Sequence, residues 1–310
     1  MSDHESQARA YMAKGEKKLS SLGWFSNKHE EAAECFEKAG NLFKLSKSWN
    51  EAGEAFLKLA ACRLKTDGQH EAASAYVEAS RAFGRGDRRR AVPSMERAVE
   101  LYTEMGRLGM AARQLRDAGE AADKAGDKEG ALPFFERAAE LFETDHAPAE
   151  GNRCSLRVAQ LAAELGRFPQ AAALFERSAR AAVESHLLRY SAKGYLLNAG
   201  ICEAAAARGD PRQLEEAIAR YAAIDASFEG SREHKLLAGI LEALDKGDPD
   251  LFSAHVADFD AMTRLEPWKT TVLLQAKRSI TSGPGGGGGA AGGAAGGGAP
   301  GGGLDEDDLT

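Results

Sequence analysis

The sequence repeats one helical pattern at intervals of about 20 residues, and this repeat restricts the possible folds more than any other feature. In each copy a small residue is followed, at offsets of four, three and four, by a large apolar residue, a small one and another large one. Because these offsets place all four residues on one face of an α-helix, each copy predicts an amphipathic helix. Clear copies are Ala32-Phe36-Ala39-Phe43, Ala72-Tyr76-Ala79-Phe83, Ala91-Met95-Ala98-Tyr102 and Ala131-Phe135-Ala138-Phe142, and looser copies begin at Ala52, Ala111 and Ala171.

Glycines lie between the predicted helices at the same interval. They are Gly86, Gly106, Gly126 and Gly166. Glycine favours the left-handed conformation that ends many helices, so each is predicted to close a helix. Two helices then form a hairpin of about 40 residues that stacks on its neighbours. The pattern predicts an all-α chain that resembles a right-handed tetratricopeptide solenoid with lengthened helices.

The repeat ends near Pro211, and the chain divides into four predicted parts. Residues 1–209 form the helical-hairpin solenoid, and residues 210–281 form a C-terminal helical bundle whose amphipathic stretches lack the repeat. Residues 282–303 are a Gly/Ala-rich linker, and residues 304–310 are an acidic tip. The linker is predicted to be a disordered, flexible coil, since glycine and alanine bury too little surface to fold.

Composition favours a soluble, cytoplasmic protein. Charged residues make up 28% of the chain and interrupt every apolar stretch, so no membrane-spanning helix is predicted. The N-terminal residues lack the apolar segment of a secretion signal. Widely spaced cysteines without a CxxC pair are typical of reduced thiols (Cys35, Cys62, Cys154 and Cys202). The net charge of −7 argues against a nucleic-acid partner.

The sequence shows no pattern that is typical of catalysis. His70-Glu71 begins like a zinc-protease motif, but Ser74 stands where the second histidine is required. A P-loop is missing, and the glycine run follows a predicted helix instead of a strand, so it is not a phosphate-binding loop. We therefore predict no catalytic residue, no metal ligand and no cofactor. Repeat solenoids usually bind proteins, and an enzyme is disfavoured.

Three groups of residues are candidates for binding. Trp24-Phe25, which follows Lys17 and Lys18, either packs on the first hairpin or touches a membrane surface. The acidic tip, with Asp305, Glu306, Asp307, Asp308 and Leu309, is the second group. The third group consists of basic residues at hairpin turns and on one helix face, which either align along one surface or are separate solvated charges. They are Lys47, Arg85, Arg107, Arg113, Arg153, Arg157, Lys193 and Arg232.

Several stretches identify the chain further through their order and spacing. They are "NLFKLSKSWNEAGEAFLKLA", "RAVELYTEMGRLGMAARQ", "NRCSLRVA", "LLRYSAKGYL", "TRLEPWKTTVLLQAKRSI" and the ending "DEDDLT". Together they resemble the soluble NSF attachment proteins of the alpha type. The similarity runs from about residue 5 to residue 281 and resumes at residue 304.

The resemblance implies a cytosolic adaptor that is peripheral on membranes. Such adaptors bind assembled, syntaxin-like SNARE four-helix complexes, recruit the hexameric AAA+ ATPase NSF and stimulate disassembly of the complex. By matching motifs, the SNARE-binding groups fall on Lys47, Arg107, Arg113, Arg153, Arg157 and Lys193, with a weaker or differently shared contact at Arg85.

The same resemblance assigns roles to the other two groups. The membrane loop falls on Trp24 and Phe25, where this chain has one apolar pair in a shorter loop, so attachment is predicted to be weak. The ATPase-stimulating leucine falls on Leu309, and the glycine insertion, Gly283 to Gly303, departs from the family pattern. A generic tetratricopeptide-type scaffold or co-chaperone that holds peptide tails is the alternative. The acidic tip favours the adaptor, because a scaffold does not need it.

Overall fold

The computed structural model describes residues 3–20, 28–185 and 188–282. Within these ranges the chain forms fourteen α-helices and no β-strand. The all-α array of helical hairpins that ends in a helical bundle is therefore confirmed. The helices are α1 (Asp3–Ser20), α2 (Lys28–Leu45), α3 (Trp49–Leu64), α4 (Gln69–Arg85), α5 (Ala91–Glu104), α6 (Leu108–Lys124), α7 (Lys128–Thr144), α8 (Pro148–Glu164), α9 (Phe168–Glu184), α10 (Arg189–Ala206), α11 (Pro211–Ile224), α12 (Arg232–Lys246), α13 (Pro249–Met262) and α14 (Pro267–Ser282).

Three of the four predicted turn glycines adopt the left-handed conformation. Gly106, Gly126 and Gly166 have φ values of 68°, 80° and 76°. Gly86 closes α4 as predicted, but its φ of −120° and ψ of −112° are not left-handed, so the predicted conformation was wrong at this position. A Cβ atom added to Gly86 would lie 2.2 Å from Oδ1 of Asn50. Close approach of α3, instead of turn geometry, therefore favours glycine there.

Other hairpin turns use a left-handed residue that is not glycine. Lys47, Asp67 and His146 have φ values of 59°, 56° and 56°. This conformation costs an L-residue roughly 1–2 kcal/mol, so the packing of the flanking helices imposes it. In the turn after α2, the exposed Lys47 side chain projects from the array.

The repeat residues form the core of the array. Ala32, Phe36, Ala39 and Phe43 are all buried, as the spacing predicts. Small residues let aromatic rings approach the neighbouring backbone closely. For example, a Cβ atom added to Gly53 of α3 would lie 2.5 Å from the Phe83 ring of α4.

Alternate helices are joined side by side through ion pairs. Sequential helices joined by short turns are antiparallel, so every second helix runs in the same direction. Ion pairs connect α2 with α4, α4 with α6, and α6 with α8: Lys44–Glu78, Arg81–Asp117 and Arg116–Glu150. We call α2, α4, α6, α8 and α10 the even layer, and α1, α3, α5, α7 and α9 the odd layer. The even layer has an N-terminal edge, where its helices begin, and a C-terminal edge, where they end.

The last hairpin and the C-terminal helices share one continuous core. The Phe175 ring of α9 stacks on the Trp268 ring of α14, with centroids 5.7 Å apart. The stretch from residue 249 to residue 280 contains two helices: α13 ends at Met262, and α14 begins at Pro267. Helix α14 ends beside the α10–α11 turn, since a Cβ atom added to Gly209 would lie 3.3 Å from the Ser279 carbonyl oxygen. The chain beyond α14 therefore starts at the C-terminal edge of the even layer.

Candidate binding surface

The predicted basic residues lie along the even layer, but they divide between its two edges. Arg107 directly precedes α6, Arg113 and Arg153 lie in the N-terminal halves of α6 and α8, Arg157 lies at the middle of α8, and Lys193 lies near the start of α10. We call these five residues the N-terminal basic group. Lys47 follows the end of α2 and Arg85 ends α4, so these two lie at the C-terminal edge. The structure therefore does not place all seven residues in one cluster.

Arg232, which the sequence also suggested, lies apart from this surface. It begins α12 in the C-terminal bundle. Its Nη1 donates a hydrogen bond to the Thr263 hydroxyl at 2.7 Å. Its contacts are therefore made inside the bundle.

Most of the predicted basic side chains keep an uncompensated charge. Within residues 3–20, 28–185 and 188–282, no ion pair is formed by Lys47, Arg85, Arg107, Arg113 or Lys193. The Arg85 guanidinium lies 4.8 Å from the centre of the Trp49 ring. A cation on an aromatic ring keeps its charge and is held in position. These side chains are available to an acidic partner.

Arg157 and Arg153 differ, because each contacts a carboxylate of the chain itself. Arg157 Nε donates to Asp123 Oδ2 at 3.0 Å, and Nη2 contacts the same oxygen. Both side chains are partly shielded, with 29% and 19% exposed. Arg153 Nη2 lies 3.4 Å from Glu150 Oε1, and the Arg153 side chain is 69% exposed. An exposed ion pair is weak, so Arg153 remains available to a binding partner. The Arg157 side chain of α8, by contrast, is held against Asp123 of α6.

The groove between α6 and α8 contains a thiol that is not reactive. Arg116, Asp123, Arg153 and Arg157 line the groove together with Cys154. Burial raises the pKa of the Cys154 thiol to about 11. Because the thiolate is the nucleophilic form, this cysteine is inert at neutral pH.

The arginines between α4 and α5 were not among the binding residues predicted from the sequence. Arg88–Arg90 form a 3-10 turn that begins three residues after Arg85, and Arg85 and Arg88 line the same groove. Arg90 pairs with Glu54 of α3, whereas Arg88 and Arg89 are exposed. They extend the basic C-terminal edge. The signal was present in the dense run "GRGDRRR".

Tyr190 is a second surface feature that was not predicted from the sequence. It lies in the first turn of α10, one turn before Lys193, and is 94% exposed. An aromatic ring with a hydroxyl is typical of protein interfaces. Its signal was the tyrosine in "LLRYSAKGYL".

Two predicted groups lie outside the described residues. They are the Trp24-Phe25 pair and the acidic tip with Asp305, Glu306, Asp307, Asp308 and Leu309. Across the described ranges, no helix combines the length and apolar character needed to cross a membrane. The same ranges hold no group of three or more His, Cys, Asp or Glu side chains suited to a metal ion.

Known proteins match almost the whole chain. Residues 6–281 match the family model described as "Soluble NSF attachment protein, SNAP". The chain belongs to the soluble NSF attachment protein family. It is 37% identical to the alpha-soluble NSF attachment protein of Vitis vinifera over 280 residues. These residues are 90% of this chain and 96% of the relative. The resemblance that the sequence motifs indicated is thereby confirmed.

Relatives in animals and fungi cover similar shares of the two chains. The alpha-soluble NSF attachment protein of Mus musculus is 33% identical over 287 residues, which are 90% of this chain and 96% of the relative. A probable vesicular-fusion protein sec17 homolog of Schizosaccharomyces pombe is 37% identical over 275 residues, 87% of this chain and 94% of the relative. The match to the soluble NSF attachment proteins therefore spans the whole helical array.

Proposed function

We propose that this chain is an adaptor, not an enzyme, that binds assembled SNARE complexes, recruits NSF and stimulates disassembly of the complexes in vesicle fusion. Membership of the soluble NSF attachment protein family over residues 6–281 carries the proposal. The printed names of the relatives describe attachment to NSF and vesicular fusion. The basic side chains along the even layer are consistent with an acidic partner.

The N-terminal basic group is the proposed contact with the SNARE rod. Arg113, Arg153 and Lys193 lie on three successive helices of the even layer. These helices lie side by side in the same layer, as the Arg116–Glu150 ion pair between α6 and α8 shows, so the three charges form a row that suits an elongated partner. Each exposed ion pair contributes roughly 0.2–1 kcal/mol. The affinity for the SNARE complex therefore depends on the three charges together and not on any one of them.

The C-terminal segment supplies the proposed contact with NSF. Asp305 to Asp308 offer four carboxylates to a basic surface of the ATPase, and Leu309 offers one apolar side chain. Residues 283–303 act as a tether between α14 and this tip. The two partners thus bind different parts of the chain, so one molecule can hold both.

Trp24 and Phe25 are the proposed contact with the membrane. Aromatic side chains insert at the level of lipid headgroups, and Lys17 and Lys18 are attracted to anionic lipid. At about 25 cal/mol per Å² of buried apolar area, two side chains are too few to hold a protein on lipid alone. The contact is therefore peripheral and acts together with SNARE binding.

A reconstituted disassembly reaction tests the proposed function. Purified chain, NSF and a soluble SNARE complex are mixed with ATP, and loss of the complex is followed by a fluorescent label on one SNARE helix. We expect disassembly that requires all three proteins. Reactions that lack this chain or contain the Arg113→Glu, Arg153→Glu variant are the controls. A chain that binds free carboxyl-terminal peptides but leaves the SNARE complex intact would instead be a scaffold.

A further inference from the structure

A second groove opens between the C-terminal halves of α4 and α6. Its volume is about 800 Å³, within the range of sites that bind a small molecule or a short peptide segment. We call it the arginine groove. Its apolar floor is formed by small side chains of α6 and larger ones of α5 and α7: Ala118, Ala121, Ala122, Ala125, Met95 and Phe134. Val92 at its edge is 44% exposed.

The rim of the arginine groove carries more basic than acidic side chains. Arg81, Arg85 and Arg88 line the groove, as do Asp117 and Asp127. Arg81 pairs with Asp117 at 3.7 Å, and Asp127 accepts a hydrogen bond from the Gly130 amide at the start of α7. Among the described residues, Arg85 and Arg88 have no carboxylate partner. The groove thus offers two unpaired guanidinium groups above an apolar floor.

We propose that the chain's own acidic tip, residues 304–310, occupies the arginine groove when no partner is bound. The tip has the complementary chemistry, because four consecutive acidic residues lie between Leu304 and Leu309. Its carboxylates pair with Arg85 and Arg88, and a leucine side chain covers the alanine floor. Guanidinium–carboxylate pairs are favoured by their matching geometry.

The connection between α14 and the tip has the length that this contact requires. Helix α14 ends near the α10–α11 turn, at the same C-terminal edge on which the arginine groove opens. Helices α10 and α4 are three steps apart in the even layer, and because its successive helices are joined through long side chains, each step is at least the roughly 8–10 Å of directly packed helices and the whole distance is at least about 24–30 Å. A Gly/Ala-rich chain of 21 residues has an expected span of about 25 Å. Fully extended, the same 21 residues reach roughly 70 Å, so the tip reaches the groove with the linker only partly extended.

Without residues 283–303, the tip falls short of the groove. A seven-residue segment that starts directly at α14 reaches at most about 23–25 Å when it is fully extended. Such a segment cannot place both its carboxylates and Leu309 in the groove. The glycine insertion is thus the part of the sequence that makes the contact possible.

The consequence for activity rests on the proposed function. A docked tip covers Arg85 and Arg88 and withholds Leu309 from the ATPase, so the free adaptor is held in a less active form. A tether of this length gives a local concentration in the millimolar range. Even a millimolar affinity then occupies the groove for about half of the time. A SNARE complex that contacts Arg85, the groove residue matched to the family's SNARE-binding groups, competes with the tip for this guanidinium and leaves the tip free for NSF.

Paramagnetic relaxation tests the contact directly, with no SNARE protein or NSF present. A nitroxide is attached to a Thr310→Cys variant of the full chain, and amide signals are recorded at low salt. The four native cysteines are buried, so labelling is selective. We expect at least twofold weaker signals for Gly84, Ala121 and Ala125 than in the reduced, diamagnetic sample. The signals should recover with Arg85→Gln plus Arg88→Gln and with deletion of residues 283–303.

Matched controls decide the result. Arg9→Gln plus Arg137→Gln removes two exposed arginines of the odd layer and should leave the broadening unchanged. Groove signals that are no weaker than those of the odd layer would overturn the proposal. Isotope-labelled chain mixed with unlabelled, spin-labelled chain reports contacts between copies, and broadening there would assign the groove to a second molecule instead. Broadening together with a failed disassembly reaction would reject the proposed function while the docked tip stands.

Discussion

Arg157 on α8 donates from Nε to the Oδ2 atom of Asp123 on α6 at 3.0 Å. This bond links two helices of the even layer through a residue that family resemblance assigns to SNARE binding. Both side chains are less than one third exposed, so the pair is partly removed from solvent. A partner must therefore compete with Asp123 for Arg157, whereas Arg113 is free among the described residues.

The first prediction separates the roles of these two arginines. Arg157→Gln should lower the free energy of unfolding by about 1–3 kcal/mol, because it removes a hydrogen bond to a carboxylate that stays partly buried. Arg113→Gln should leave stability within about 0.5 kcal/mol and weaken SNARE binding more than Arg157→Gln does. Urea unfolding and titration with a labelled SNARE complex measure the two effects. An unchanged stability and a larger binding loss for Arg157→Gln would contradict this assignment.

The second prediction concerns the row of charges on the even layer. Arg113→Glu together with Arg153→Glu should weaken SNARE binding by more than about tenfold, since each reversal removes an attraction and adds a repulsion of similar size. Binding should also weaken as salt shortens the Debye length to about 8 Å and below. Arg9→Glu with Arg137→Glu in the odd layer is the control. Equal losses in both double variants, or salt-independent binding, would exclude a charge-led contact.

The sequence predicted the helices and their packing face because small and large apolar residues at offsets of four and three define one side of a helix. It predicted the turns at Gly106, Gly126 and Gly166 because glycine has no side chain to oppose a positive φ. The left-handed Lys47 was not predictable, since its own side chain disfavours that conformation. There the packing of whole helices outweighs a local preference.

The candidate surface was predictable only in part. A repeat interval shows which layer a residue occupies, but the position within the helix decides the edge. Arg85 ends α4 and Arg113 lies near the start of α6, so the two are at opposite edges although both belong to the even layer. The pairing of Arg157 with Asp123, 34 positions away, depends on side-chain geometry that the sequence pattern does not contain.

The third prediction follows from two buried thiols. Burial raises the pKa of Cys154 to about 11 and that of Cys202 to about 12, above the usual value near 9. The unfolded chain therefore loses these protons first as pH rises. The stability that protonated thiols provide is complete below about pH 9 and declines toward pH 11–12, by up to about 1.4 kcal/mol per pH unit for each thiol.

Cysteine substitution isolates this effect from other titrating groups. Cys202→Ala should destabilise the protein at pH 8, because it removes a buried side chain. The difference in free energy of unfolding between this variant and the unsubstituted protein should then shrink at pH 10.5. Urea unfolding at both pH values provides the comparison. A difference that is independent of pH would mean that the Cys202 thiol has an ordinary pKa.

The fourth prediction concerns the apolar pair before α2. Trp24→Ser with Phe25→Ser should slow SNARE disassembly on liposomes and leave disassembly of soluble complexes unchanged, because lipid supplies a second attachment only in the first case. The rates are measured with the same NSF and SNARE preparation. Equal loss in both reactions would indicate that the two residues pack on the first hairpin.

The fifth prediction separates the acidic tip from its tether. Deletion of residues 304–310, or Leu309→Ala, should reduce stimulation of NSF while SNARE binding survives, because the tip is the proposed ATPase contact. Deletion of residues 283–303 keeps the tip and should leave stimulation within a few-fold. ATP hydrolysis and SNARE binding are measured for all three variants against the unsubstituted chain. Normal stimulation of NSF without residues 304–310 would show that the tip is not the ATPase contact. Loss of stimulation without residues 283–303 would show that the linker does more than connect the tip to α14.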